Sequence, residues 1–166
     1  MTIPTRSTAP AEIADQVWEV LDTEAALLDA REWLSWLDLF TEVCRYWVPL
    51  DPDARDAELG LNLILDNRVR MEDRVGRLAN KDAHAASLGT RTARVCGRPV
   101  VTTGDDGAAR ATRPFVLQSF DADGSRSYAG RYEYVLELGG NRPQIRTKVV
   151  RLLQAESPHP AMTWIL

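Results

Sequence analysis

SYAGRYEYVLEL, residues 127 to 138, decides the fold class of this chain. Its even positions are Tyr128, Gly130, Tyr132, Tyr134, Leu136 and Leu138, while its odd positions include Arg131, Glu133 and Glu137. A period of two sends successive side chains to opposite faces, so this is a strand with one face on a core and one toward water. Turn signals at Gly104-Asp105-Asp106-Gly107, Asp121-Ala122-Asp123-Gly124 and Gly139-Gly140-Asn141 divide residues 91–154 into four runs joined by hairpins, an antiparallel meander. At about 3.3 Å per residue, the longer runs exceed what a flat sheet accommodates in a chain this small, so the sheet must coil strongly. In the last run Ile145, Thr147 and Val149 alternate with Arg146 and Lys148, but Val150 and Leu152 continue on the other parity. That switch predicts a bulge or bend.

The first half has helical spacing instead. After Pro10, which suits a first helical turn, Ile13, Val17, Val20, Leu21, Leu27 and Leu28 form one apolar face over about 10–29. A second helix is predicted over about 31–40, with Trp33, Trp36, Leu37 and Phe40 on overlapping faces. Residues 43–49 then read as a strand ended by Pro49, and 51–60 as a loop. Asp66 is the expected cap of a helix over about 67–79, whose stripe is Val69, Val75 and Leu78. Helices followed by a curled sheet predict an α+β cone with the helices on its concave side, built as a single domain over 1–166.

Several function classes are disfavoured. A formal charge of −4 argues against binding a phosphate backbone, so no nucleic-acid partner is expected. The opening MTIPTRSTAP lacks the apolar core of a secretory signal, and no run of about 18 apolar residues exists to cross a bilayer. A cytoplasmic chain with no membrane partner is expected, with Cys44 and Cys96 as ordinary reduced thiols. The two Cys and two His lack the CxH and CxxH spacing of a Rieske centre, and His84 and His159 read as loop or packing residues. GDDG and DADG lack the spacing of a nucleotide loop and read as turns. What remains for chemistry within the chain is acid–base work by groups lining the cone, with Asp38, Glu42, Asp66, Asp73 and Tyr46 as candidates and ion pairing as the competing reading.

Three ordered segments carry a family resemblance: EAALLDAREWLSWLDLF at 24–40, YWVP at 46–49 and DNRVRMEDRVGRL at 66–78. With Arg91-Thr92-Ala93-Arg94, SYAGRYEYVLEL and QIRTKVVRLL they resemble the small (beta) subunit of aromatic-ring-hydroxylating dioxygenases, over roughly residues 12–154. The stretch 95–100, VCGRPV, departs from the family pattern, and Pro99 there removes a ladder donor, which predicts a kink or an edge position.

The resemblance implies a nuclear-transport-factor-2-like cone, and a non-catalytic beta chain with no catalytic, cofactor or metal residues of its own. It implies a larger alpha subunit holding a Rieske [2Fe-2S] cluster and a mononuclear non-heme iron, joined in a hexamer of three alpha and three beta chains with beta–beta contacts. A separate reductase and a ferredoxin would deliver electrons from NAD(P)H for aromatic compound catabolism. The IRTK segment at 145–148 is similar to benzoate-type members, pointing to an aromatic acid as substrate. On this reading Arg68, Asp73, Arg74 and Arg94 are suited to charge-assisted bonds between subunits, and Tyr46 and Trp47 to aromatic anchoring at the same base. For each, an ion pair or packing within the chain is the competing reading. The alternative function is a free-standing cone-fold isomerase or dehydratase with an acid–base pair in its own cavity.

Overall fold

A computed structural model describes residues 7–84, 89–157 and 164–166. Its elements are β1 (Ser7–Thr8), α1 (Ala11–Ala30), α2 (Trp33–Leu37), β2 (Phe40–Pro49), β3 (Asn62–Asn67), α3 (Arg68–His84), β4 (Arg91–Cys96), β5 (Val100–Thr103), β6 (Ala109–Asp121), β7 (Gly124–Glu137) and β8 (Gln144–Leu152). The strands form one sheet in the order β1-β5-β6-β7-β8-β2-β3, with β4 also paired to β6. All pairs are antiparallel except β2 with β8. The expected α+β cone is therefore present, with a mixed sheet.

The long hairpin β6–β7 is the spine. Its two-residue turn closes on the pair Asp121 and Gly124, where Gly124 supplies φ +109 and the Asp123 N–H is accepted by Asp121 Oδ1 at 2.9 Å. Tyr128, Tyr132, Tyr134 and Leu136 are all buried, as the alternation requires. At Gly130 the neighbouring strand comes so close that a Cβ would stand 2.0 Å from the Arg151 main-chain oxygen. β8 does change faces, but earlier than the sequence implies. Val135 pairs with Thr147 and Leu136 with Ile145, so Arg146 is the extra residue and Lys148 already points inward with Val150 and Leu152.

α1 lays Val17, Val20, Leu21 and Leu28 into the concave face. Pro10 is its N-cap rather than a residue of its first turn. The helix ends where Arg31 takes a left-handed conformation, φ 61, and the N–H groups of Arg31 and Glu32 bond back to Leu28 and Leu27. The second helix is shorter than expected, because the Ile145 N–H takes the Leu39 carbonyl at 2.8 Å and draws Phe40 into the sheet beside β8. The strand containing Tyr46 therefore begins at Phe40, not at 43.

Two further expectations need correction. Residues 62–67 form the edge strand β3, and α3 runs on to His84, which is helical rather than in a loop. Asp66 does not cap α3; Asn67 Oδ1 accepts the Arg70 N–H at 3.1 Å, which frees Asp66 to pair with Arg74. The buried stripe of α3 is Met71, Val75 and Leu78, with Val69 63% exposed. The departure at 95–100 is a break at an edge: β4 stops at Cys96, β5 starts at Val100, and both pair with β6. His159 lies outside the described residues.

Candidate functional site

The cone interior is polar at its centre. Glu24 sits on the α1 stripe between Leu21 and Leu28, and that spacing carries its carboxylate inside. It accepts bonds from Lys148 Nζ at 2.6 Å, the Tyr134 hydroxyl at 2.7 Å and Trp36 Nε1 at 3.1 Å. Lys148, turned inward by the bulge, also donates to the Leu166 main-chain oxygen at 2.7 Å, and its ammonium lies 4.6 Å from the centre of the Tyr132 ring. The side chains are 0% and 1% exposed for Lys148 and Glu24. Burial pushes Lys148 down to about 8 against the pull of Glu24. Burial works to raise Glu24, but Lys148, Arg113 and the Tyr134 hydroxyl outweigh it and hold the carboxyl below its ordinary value.

Two arginines flank this pair. Arg113 of β6 reaches Asp22 at 2.9 Å and the Leu21 main-chain oxygen. Arg94 of β4 bonds the Asp29 carboxylate with its guanidinium and again with its own N–H at 2.7 Å, and it donates to the Ile165 main-chain oxygen. Three strand cations thus meet three α1 acids, Asp22, Glu24 and Asp29. The Tyr132 hydroxyl lies against the Arg94 guanidinium, and Arg113 Nε is buried with no hydrogen-bond partner among the described residues.

Residues 164–166 close the interior. Ile165 and Leu166 are fully buried, and the Trp164 ring stands edge-on to Tyr128 at 5.1 Å. The Leu166 N–H donates to the Tyr46 hydroxyl at 3.2 Å. An acid, a base and several phenols converge here, but side chains and the tail fill the space a substrate would need. Among the described residues a groove of about 320 Å³ lies outside the cone, between α1 and the β7–β8 loop, lined by Gln16, Glu19, Thr23, Asn141 and Arg142.

The residues singled out in the sequence scatter over three environments. Tyr46 and Arg94 belong to the interior. Trp47 is buried on the opposite face of the sheet in a small cluster with Ala57 and Val149, its Nε1 donating to Asn62 and Arg151 over its ring. Arg68, Asp73 and Arg74 share α3. Arg68 bonds the main-chain oxygens of Leu37 and Phe40 and pairs with Glu72 at 2.9 Å, and Arg74 pairs with Asp66 at 2.7 Å. Asp73 is exposed. Of the carboxylates considered for acid–base work, Asp38, Glu42 and Asp73 are exposed, while Asp66 is buried opposite Tyr46 in the β2–β3 pairing and is engaged by Arg74 at 2.7 Å. The buried acid that sequence reasoning passed over is Glu24, which its place on an apolar stripe could have disclosed.

Cys44 donates to the Met71 sulfur at 3.6 Å, and burial pushes both the Cys44 and Cys96 thiols up. Among the described residues no three His, Cys, Asp or Glu converge on one point. Nor is any described helix long and apolar enough to cross a membrane.

Known proteins resemble the chain along most of its length. Residues 23–157 match the family described as ring hydroxylating beta subunit. The small oxygenase component of the p-cumate 2,3-dioxygenase system of Pseudomonas putida is 31% identical over 154 residues, covering 91% of this chain and 86% of that protein. The benzoate 1,2-dioxygenase subunit beta of Acinetobacter baylyi is 29% identical over 143 residues, covering 83% and 85%. Among solved structures, the beta subunit of the benzoate 1,2-dioxygenase of Burkholderia mallei superposes with a TM-score of 0.73 at 25% identity, covering 90% of this chain and 95% of that one.

Proposed function

The chain belongs to the ring-hydroxylating beta-subunit family, the small subunits of aromatic-ring dioxygenases, and from that premise we propose that it is a non-catalytic scaffold for an iron-bearing alpha subunit. The observation that carries this reading is the filled cone: Lys148, Glu24 and the tail at Leu166 bind one another, where a self-sufficient isomerase or dehydratase needs an open cavity. In this reading the alpha subunit supplies the Rieske cluster and the mononuclear iron that activate dioxygen. This chain's own residues contribute shape and contacts.

The assembly proposed is a cytoplasmic hexamer of three alpha and three beta chains, fed by a reductase and a ferredoxin. Contacts with neighbouring subunits are assigned to the outer face of α3, where Asp73 is exposed while Arg68 and Arg74 hold the helix against β2 and β3. Tyr46 and Arg94 support that base from inside the cone, and Trp47 from the opposite face of the sheet. The relatives named for p-cumate, benzoate and toluate favour an aromatic carboxylate as the substrate of the assembled enzyme.

Co-expression with a Rieske-type alpha chain tests the proposal, with absolute mass from light scattering and iron analysis on each separated subunit. A hexamer whose iron stays with the large chain is the expected result. A small oligomer that ignores the large chain would overturn it.

A further inference from the structure

We infer that residues 164–166 occupy, in cis, a ligand site, so that the interior of the cone is a pocket for a short apolar peptide gripped by its main-chain oxygens. The tail lies outside every helix and strand, and the bonds described for its backbone come from side chains rather than from a ladder. Lys148 takes the Leu166 oxygen and Arg94 the Ile165 oxygen. Each of these buried cations has its other ligand on α1, Glu24 or Asp29, so the cations are anchored without the tail and present a donor to whatever fills the space. Tyr46 adds a hydroxyl for a backbone N–H, and Tyr128 an aromatic wall for the Trp164 ring. The Tyr132 hydroxyl lies against the Arg94 guanidinium at the same spot.

Two successive carbonyls held by two cations, with large apolar side chains in an aromatic chamber, is the way a binding site treats a ligand. The class it would take is a short apolar peptide segment. The proposal does not rest on the scaffold reading, since peptide binding and hexamer formation are separate measurements.

The test keeps the full chain and substitutes Trp164→Gly, Ile165→Gly and Leu166→Gly together, which removes the side chains that seat the tail. The probe is N-acetyl-Trp-Ile-Leu-amide, read by melting temperature and by titration calorimetry. A saturable rise in melting temperature in the triple variant, absent in the wild type and lost on adding Lys148→Met, is expected. A triple variant that folds only with the peptide present also supports the site. A folded variant that ignores the peptide overturns it. If the triple variant fails to fold in either condition, Trp164→Ala with indole as probe decides: a saturable rise supports the pocket, and no rise overturns it.

Discussion

Inside the cone, Lys148, Arg94 and Arg113 each reach an acid of α1, whereas on α3 the charged groups stand at the boundary with water. Both regions are rich in charge, and the same residue types do different work in each. A buried ion is tolerated only when its partners replace the water it lost, so the interior network is all-or-none. An exposed pair is screened and replaceable, so α3 is free to use its charge on something other than its own fold. Charge in the core fixes how α1, β8 and the tail meet, while charge on α3 is available to a neighbour.

The largest effect should come from breaking the interior pair on one side only. Lys148→Met leaves the Glu24 carboxylate buried without its cation and should cost about 3–5 kcal/mol in chemical denaturation. Replacing both partners, Glu24→Leu with Lys148→Met, should recover most of that loss, since no unpaired charge remains. A single substitution that costs less than about 1 kcal/mol would place the pair among ordinary surface pairs and erase the contrast. Gly130→Ala should follow closely, because its Cβ would meet the Arg151 backbone at 2.0 Å, where no side chain can move aside. A loss of about 1–3 kcal/mol is expected, with the sheet pairing β7–β8 the first to show it.

Acid sharpens the comparison further. The folded-state carboxyl of Glu24 lies below its ordinary value of 4.5, so on acidification the unfolded chain takes up its proton first. The stability this group contributes is complete above about 4.5 and declines as the pH falls through the folded value. Melting temperatures between neutral pH and acid should therefore drop more steeply in the wild type than in Glu24→Gln, whose amide has no proton to gain. Equal slopes would mean that the interior carboxylate is not the acid-sensitive group.

A smaller effect is expected where α3 begins. Asn67→Ala removes the acceptor for the Arg70 N–H and should cost about 1 kcal/mol. No measurable loss in Asn67→Ala would mean that the Asn67 cap does not hold the start of α3.

How much of this was legible follows from the range of each interaction. The β7 alternation, the turn at Asp121–Gly124 and the α1 stripe are local patterns, and they stand in the structure as read. The break at Gly97–Pro99 was legible for the same reason, since proline states its own constraint. Lys148 was misplaced because a single extra residue, Arg146, reverses every face after it, and a bulge leaves no mark beyond the parity change at Val150. Glu24 was readable as a charge on an apolar face, but its meaning lies in a cation 124 residues away. Nothing periodic marks Trp164–Leu166 as a core segment. β3 was missed because its apolar run is short and sits directly against the helix it feeds.

The smallest expected change in stability carries the sharpest test of the difference between the two regions. Asp73 is exposed on α3, and replacing it with alanine should alter the stability of the isolated chain by no more than about 0.5 kcal/mol. If the outer face of α3 meets a neighbouring subunit, the same substitution should nevertheless weaken assembly with the alpha chain, seen as a lower mass in light scattering at dilution. Removing a charge that a partner has desolvated leaves that partner's group unpaired, which costs more than the exposed side chain ever contributed to its own fold. Lys148→Met should show the reverse: a large loss in the isolated chain, and no further loss at the interface once folding is restored by the double substitution. Assembly unaffected by Asp73→Ala would move the contact surface off α3 and leave its charge as solvation.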